Sequence, residues 1–389
     1  MIRNLLAKQL FKIGKNARYK YSQLMELVTS AALSNRSIEN QSEIDGNISA
    51  DDLFHHLQKL VVNEITKLLQ HQLAAVRRLL KSSGLALGVI VAIDKTEVSY
   101  WGEHEKNQYV TGGQRKNSTN WAFRYLTATI AINGQEFIIY VRPLTKADND
   151  DALLVEECIL ALKKQGFNIK RVLLDREFYN ADLIFALNVH EVEYIIPAVK
   201  NSKFEELIRK LKFDKKKLPI VEENYSIKEQ YTNLVIYEDT DKDGKTQTFG
   251  FITNVDAEVI AKDVYAIVDE YKNRWCIENA HKFQDQFELS TNSTDGVVRF
   301  FFFMIGVLFH NFWVLLNLLG NTFGIGEIPL NIMRDIVRAA YGFAATPHYK
   351  HPQRELWVKI LLGRKSTARN TAAYLSVYQI FVEKSAKIT

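Results

Sequence analysis

LGVIVAID, residues 87–94, is a short apolar run entered through a glycine and left through an aspartate. Eight residues are too few for a typical core helix, and the β-branched content favours a strand buried on both faces. IKRVLLD, residues 169–175, repeats the design: an apolar run that again ends on an aspartate. Between them, FRYLTATIAINGQEFIIYVRPL (123–144) reads as two strands joined at Asn133-Gly134, a strong short hairpin signal. DDALLVEECILALKKQGF then reads as a helix closed by Gly166. Strand, hairpin, helix and strand in that order predict an α/β fold, a mixed sheet flanked by helices.

Outward from this centre the pattern changes. Residues 198–254 open with the lysine-rich helical stretch NSKFEELIRKLKFDKKKLP and continue in alternating runs, NLVIYED and TQTFGFITNV, around the turn DKDGK. They are expected as a strand-rich insertion within a catalytic domain spanning 85–320. Residues 1–84 are expected as a helical N-terminal unit, with helix over 1–34, a polar linker at 35–49, and a further helix capped by Ser49 and marked by Leu53, Leu57, Leu60, Ile65 and Leu69. Residues 321–389 are expected as a basic helical C-terminal region.

The 389 residues are 47% hydrophobic and 24% charged, enough to bury more than one core. Cysteine occurs only at Cys158 and Cys276, which excludes a disulfide framework and a CxxC metal site. The formal charge of +5 is unevenly spread. Residues 1–25 carry six basic residues and no acid, and residues 331–370 carry eight against Asp335 and Glu355, so the remainder nets −7. Basic ends of this kind suit a polyanionic partner. VVRFFFFMIGVLFHNFWVLLNLL, residues 297–319, is the one stretch apolar enough to consider for a membrane, but Arg299, His310, Asn311 and Asn317 interrupt it. It is read as a buried core helix, and no membrane partner is expected.

A strand crossover through one helix makes the runs ending at Asp94 and Asp175 parallel neighbours, so both carboxylates emerge at one sheet edge. Alone, each aspartate reads equally well as a turn former. Together they need a cation, and Mg²⁺ prefers one or two carboxylates plus substrate phosphates. YKNRWCIENAHKFQDQ, residues 271–286, places Tyr271, Arg274, Glu278 and Lys282 along one stripe of an expected helix, where Glu278 could add a third acid or simply pair with Lys282.

AIDKT (92–96), LLDREFYN (173–180) and YKNRWCIE (271–278) resemble, in order, the three catalytic blocks of DDE transposases of prokaryotic insertion sequences. The match is closest to the group with a tyrosine, arginine, glutamate and lysine signature on the last catalytic helix. The resemblance implies a ribonuclease H-like core and makes Asp94, Asp175 and Glu278 the catalytic, metal-binding acids. Thr96 and Arg176 match flanking positions of the first two blocks, and Tyr271 and Arg274 match residues that contact DNA phosphates. It implies Mg²⁺, with Mn²⁺ able to substitute, and two-metal phosphoryl transfer that cuts transposon ends and joins them to target DNA. It further implies terminal-repeat and target DNA as partners, a homodimer holding two ends, and a cytoplasmic, nucleoid-associated protein. The family lysine position is occupied here by Asp285, which leaves Lys282 as a stand-in one turn closer. Two other readings are a transposase-derived DNA-binding protein without activity and a divalent-metal nuclease without strand transfer.

Overall fold

The computed structural model describes residues 10–11, 13, 19–82, 88–132, 134–240, 244–272, 274, 287, 289–322 and 327–341. The chain divides into two compact units, one of residues 1–76, 133–137 and 282–389, the other of 77–132 and 138–281.

The first unit is helical. It holds α1 (Tyr21–Ser34), α2 (Ile38–Asp45), α3 (Ala50–Leu57) and the first part of α4 (Val62–Ser82). The polar stretch 35–49 was expected as linker and instead contains α2. Its Ser37 hydroxyl caps the Asn40 amide, Gly46 closes it at φ 64°, and Ile38 and Gln41 are buried. The helix expected to run unbroken from Ser49 is two helices. The first ends in tight turns, with Lys59 N–H on the His56 carbonyl and Leu60 N–H on that of Leu57, and Glu64 caps the Val61 amide at the start of the second.

The second unit is built on a sheet. In chain order it comprises β1 (Val89–Tyr100), β2 (Val110–Lys116), β3 (Thr119–Ile132), β4 (Gln135–Pro143), α5 (Asp151–Lys164), β5 (Ile169–Leu174), a 3-10 turn at Arg176–Phe178, α6 (Ala181–Val189), β6 (Glu193–Pro197), α7 (Ser202–Phe213), β7 (Ile220–Ile227), β8 (Gln230–Thr240), β9 (Thr246–Thr253), α8 (Ala257–Lys262) and α9 (Val264–Lys272). Among the described residues nine strands form one sheet in the order β2-β3-β1-β5-β6-β9-β8-β7, with β4 also on β3. β1, β5 and β6 run parallel, and every other described pairing is antiparallel. The parallel centre follows from composition: β5 buries five of six residues, as a strand covered on both faces must.

β1 does not end at Asp94. It continues to Tyr100 because 121–129 of β3 pairs with it residue for residue, so the second half of the strand is held by hairpin hydrogen bonds rather than by apolar burial. β2 was not expected, since its Gly112-Gly113 and polar residues carry no strand pattern. The strands of 198–254 continue the central sheet: β9 pairs with β6 through Ile195↔Thr253, Ile196↔Ile252 and Pro197↔Phe251. One face of the sheet, with Ala92, Leu173, Ile195, Val235 and Phe251, packs against Ile260, Ile267 and Val268 of α8 and α9. That packing delivers the end of α9 to the parallel strands.

Back in the helical unit, α10 (Gly296–Thr322) and α11 (Leu330–Tyr341) pack with Leu33 around Phe287, Leu316, Ile332 and Met333. α10 is long and apolar enough to cross a membrane, yet 83% of that window is buried within the protein. Its polar groups are satisfied internally: His310 Nε2 donates to the Glu136 carbonyl at 3.0 Å, and Asn317 Oδ1 accepts the Ile328 amide at 2.7 Å. This is the hydrogen bonding of a core helix.

Candidate active site

Asp94 and Asp175 occupy matching positions on neighbouring parallel strands, each directly after the paired residues Ile93 and Leu174. Both carboxylates are oriented by backbone amides. Asp94 Oδ1 accepts Lys95 N–H at 2.9 Å, and Asp175 Oδ1 accepts Arg176 N–H at 2.6 Å, capping the 3-10 turn. Arg274 faces the pair: Nη1 lies 3.7 Å from Asp94 Oδ2 and Nη2 3.8 Å from Asp175 Oδ1. Those separations give Coulombic attraction without a hydrogen bond. The guanidinium is only 12% exposed, and its buried Nε has no acceptor among the described residues.

The position of Arg274 is set by α9. The Tyr271 hydroxyl donates to the carbonyl of Leu174, immediately before Asp175, at 3.2 Å. Its ring packs on Phe251 and lies under the Arg274 guanidinium, 5.4 Å from the ring centroid. Burial pushes the Tyr271 phenol well above its ordinary range, against the opposing pull of Arg274, so it remains a neutral donor. One turn back from Arg274, Glu270 accepts from Arg171 Nη1 at 2.6 Å. Arg171 also donates from Nε and Nη2 to Glu193 at 2.9 and 2.6 Å, with its side chain 7% exposed. A buried β5 arginine thus ties β6 and α9 together beneath the site.

The opposite side of β1 carries a second set. Lys95 pairs with Asp151 at 2.8 Å and Glu177 at 3.7 Å and lies over the Phe178 ring. It fixes the turn after Asp175 to the start of α5. Burial, together with Asp94, Asp151 and Asp175, raises the Glu177 carboxyl, and Lys95 opposes that shift. Thr96 lies two residues beyond Asp94 on the same strand face, opposite Tyr125 in the β1–β3 register. A cleft of about 290 Å³ opens beside Asp175, lined by Arg176, Lys200, Lys272, Arg274, Tyr271 and Phe249 among others.

Of the residues singled out from sequence, the structure brings together Asp94, Asp175, Arg176, Tyr271 and Arg274, with Thr96 on the adjoining strand. The Tyr271 hydroxyl, expected at a phosphate, is bound to the Leu174 carbonyl. Glu278, Lys282 and Asp285 lie outside the described residues. Sequence reading missed Arg171, Glu193 and Glu270. The available signal was an arginine in the middle of a run otherwise buried, which requires carboxylate partners.

This sheet is structurally similar to a cryo-EM structure of a piggyBac transposase synaptic complex with hairpin DNA, with a TM-score of 0.54, 11% identity, and coverage of 97% of this chain and 85% of that one. A Mos1 transposase paired-end complex with left transposon end matches at 14% identity and a TM-score of 0.19, over 51% of this chain and 68% of that one. No curated protein matches the chain. The sheet and its paired carboxylates define the class: a ribonuclease H-like fold of the transposase type. The family model described as a transposase DDE domain matches residues 86–311, more than half of the chain. The chain belongs to that family.

Proposed function

We propose that this protein is an active transposase of the prokaryotic insertion-sequence group with the tyrosine, arginine, glutamate and lysine signature, cutting DNA at its element's ends and joining them to target DNA. The observation that carries the reading is the convergence of Asp94 and Asp175 on one cation, the Arg274 guanidinium, at 3.7 and 3.8 Å. Carboxylates that share one positive group can share a divalent ion, and their all-oxygen donor set fits Mg²⁺ or Mn²⁺. Asp94 and Asp175 would hold it, with Glu278 as the third acid. A bound ion would supply Lewis-acid stabilisation of the phosphoryl oxygens.

The chain's own groups do the positioning. Arg274 offers a preorganised planar donor set, and its Nε, without an acceptor among the described residues, suits a phosphate oxygen better than a lysine ammonium would. Tyr271 holds that guanidinium from below and pins α9 to the strand that carries Asp175. Arg176 and Lys200, both exposed, extend the positive wall along the cleft. The helical first unit and the basic ends are assigned to recognition of the element's terminal repeats, and a homodimer to holding two ends together.

The test is joining of terminal-repeat DNA to a target plasmid by the full chain. Products are expected with Mg²⁺ or Mn²⁺, are lost in EDTA, and return when metal is restored. Joining that persists in EDTA contradicts the proposal, and cleavage without joining would favour a nuclease.

A further inference from the structure

A strongly basic surface lies outside this site, at the end of α7 and in the turn that follows. Residues 209–217, RKLKFDKKK, carry six cations against Asp214 alone, a local charge of +5 that equals the formal charge of the whole chain. All six are exposed, and none has a carboxylate partner among the described residues. Arg209 and Lys210 at least follow Glu205 and Glu206 by four residues, the spacing of a helix that balances its own surface. Lys212, Lys215, Lys216 and Lys217 have no acid at that spacing. Lys212, Lys216 and Lys217 line one cavity of about 270 Å³, whose only acid is Glu238. Beside them Phe213 is 87% exposed, a large ring left in water at the tip of the helix.

We infer that this ridge binds the phosphate backbone of duplex DNA flanking the scissile position. The inference rests on the proposed transposase function and names a second contact for the same substrate. Unbalanced like charges repel one another and are relieved when phosphates replace their counterions. Phe213 gives the ridge an apolar element suited to a sugar edge in the groove. An anionic lipid surface shares part of this chemistry, but placement favours DNA. Lys200, two residues before α7 begins, lines the cleft that contains Asp175 and Arg274. The twelve residues of α7 advance about 18 Å, so the lysines contact phosphates within about seven base pairs of the cut.

The experiment compares the full chain with the triple variant Lys212→Gln/Lys216→Gln/Lys217→Gln, binding a duplex that carries the terminal repeat and its flank. Each lost phosphate contact removes about 0.9 from the slope of log affinity against log salt, so three remove about 2.7. Between 50 and 200 mM salt the wild type should therefore lose about 40-fold more affinity than the variant. Phosphate-ethylation interference should show contacts within seven base pairs of the cut that vanish in the variant. Phe213→Ser, which leaves every charge in place, should keep the slope and weaken affinity. Equal slopes and equal interference patterns, with wild-type binding intact, overturn the ridge and leave the transposase reading standing. Absence of wild-type DNA binding overturns both. Anionic-vesicle binding lost in the triple variant with DNA binding unchanged assigns the surface to lipid and also overturns the inference.

Discussion

Replacing Glu270 by alanine should separate the placement of Arg274 from DNA binding. Arg171 keeps both bonds to Glu193 and loses the single 2.6 Å bond that ties α9 to β5. A charge-assisted hydrogen bond of this kind contributes about 1.5–3 kcal/mol, which at this size lowers Tm by roughly 3 to 10 °C. Arg171→Met is harsher in principle because it strands two carboxylates, but Glu193 and Glu270 retain 36% and 25% exposure and can be partly hydrated. Its effect should stay near 2–3 kcal/mol, below the roughly 3–5 kcal/mol of a fully buried broken pair. The functional consequence follows from distance along the chain, since Glu270 is one turn before Arg274. A displacement of about 1 Å in a positioning group can cost on the order of 100-fold in rate. Glu270→Ala should therefore slow end joining about 10- to 100-fold, measured under single turnover at a temperature well below its Tm, while affinity for terminal DNA changes less than about threefold. A wild-type joining rate at reduced Tm would show that the network stabilises the fold without positioning the site, and would refute the argument.

Three further outcomes follow from the geometry. Tyr271→Phe removes a bond worth about 0.5–1.5 kcal/mol and keeps the ring under Arg274, so joining should slow several-fold with DNA affinity and salt slope unchanged; a slope reduced by about 0.9 would place the hydroxyl on a phosphate instead. Arg274→Lys retains charge and loses the planar fork, and should reduce joining at least tenfold in single-turnover assays; wild-type activity would show that charge alone suffices. Burial raises the Glu136 carboxyl to about 7. The stability associated with its neutral form is fully present below about 4.5 and is lost as pH rises through about 7, so Glu136→Gln should raise Tm more at pH 8 than at pH 5. An advantage independent of pH would contradict that assignment.

What the sequence made legible was what local pattern controls. Asp94 and Asp175 stood out because apolar runs lead directly to them, and parallel pairing of those runs requires only a helical crossover. The Asn133-Gly134 turn announced the β3–β4 hairpin by chemistry that two residues suffice to carry. α2 was hidden because six of its eight residues are not buried and its stability comes from caps at Ser37 and Gly46. β2 was hidden because its pairing is supplied by β3, a partner that no local pattern reveals. The support beneath Arg274 joins residues 22 and 99 positions apart, Arg171 to Glu193 and to Glu270, and such contacts exist only once the sheet has formed. Tyr271 was assigned by resemblance to the substrate; in the structure its hydroxyl bonds to the Leu174 carbonyl of the strand that carries Asp175.

The central claim is that Asp94, Asp175 and Glu278 act as one metal-binding set on DNA. Its most direct measurement is Mg²⁺-dependent joining of terminal-repeat DNA by the wild type and by Asp94→Ala, Asp175→Ala and Glu278→Gln, with affinity for the same DNA measured in parallel. The account predicts that each variant binds DNA like the wild type and yields no joined product. Joined product from any one of the three variants would contradict it.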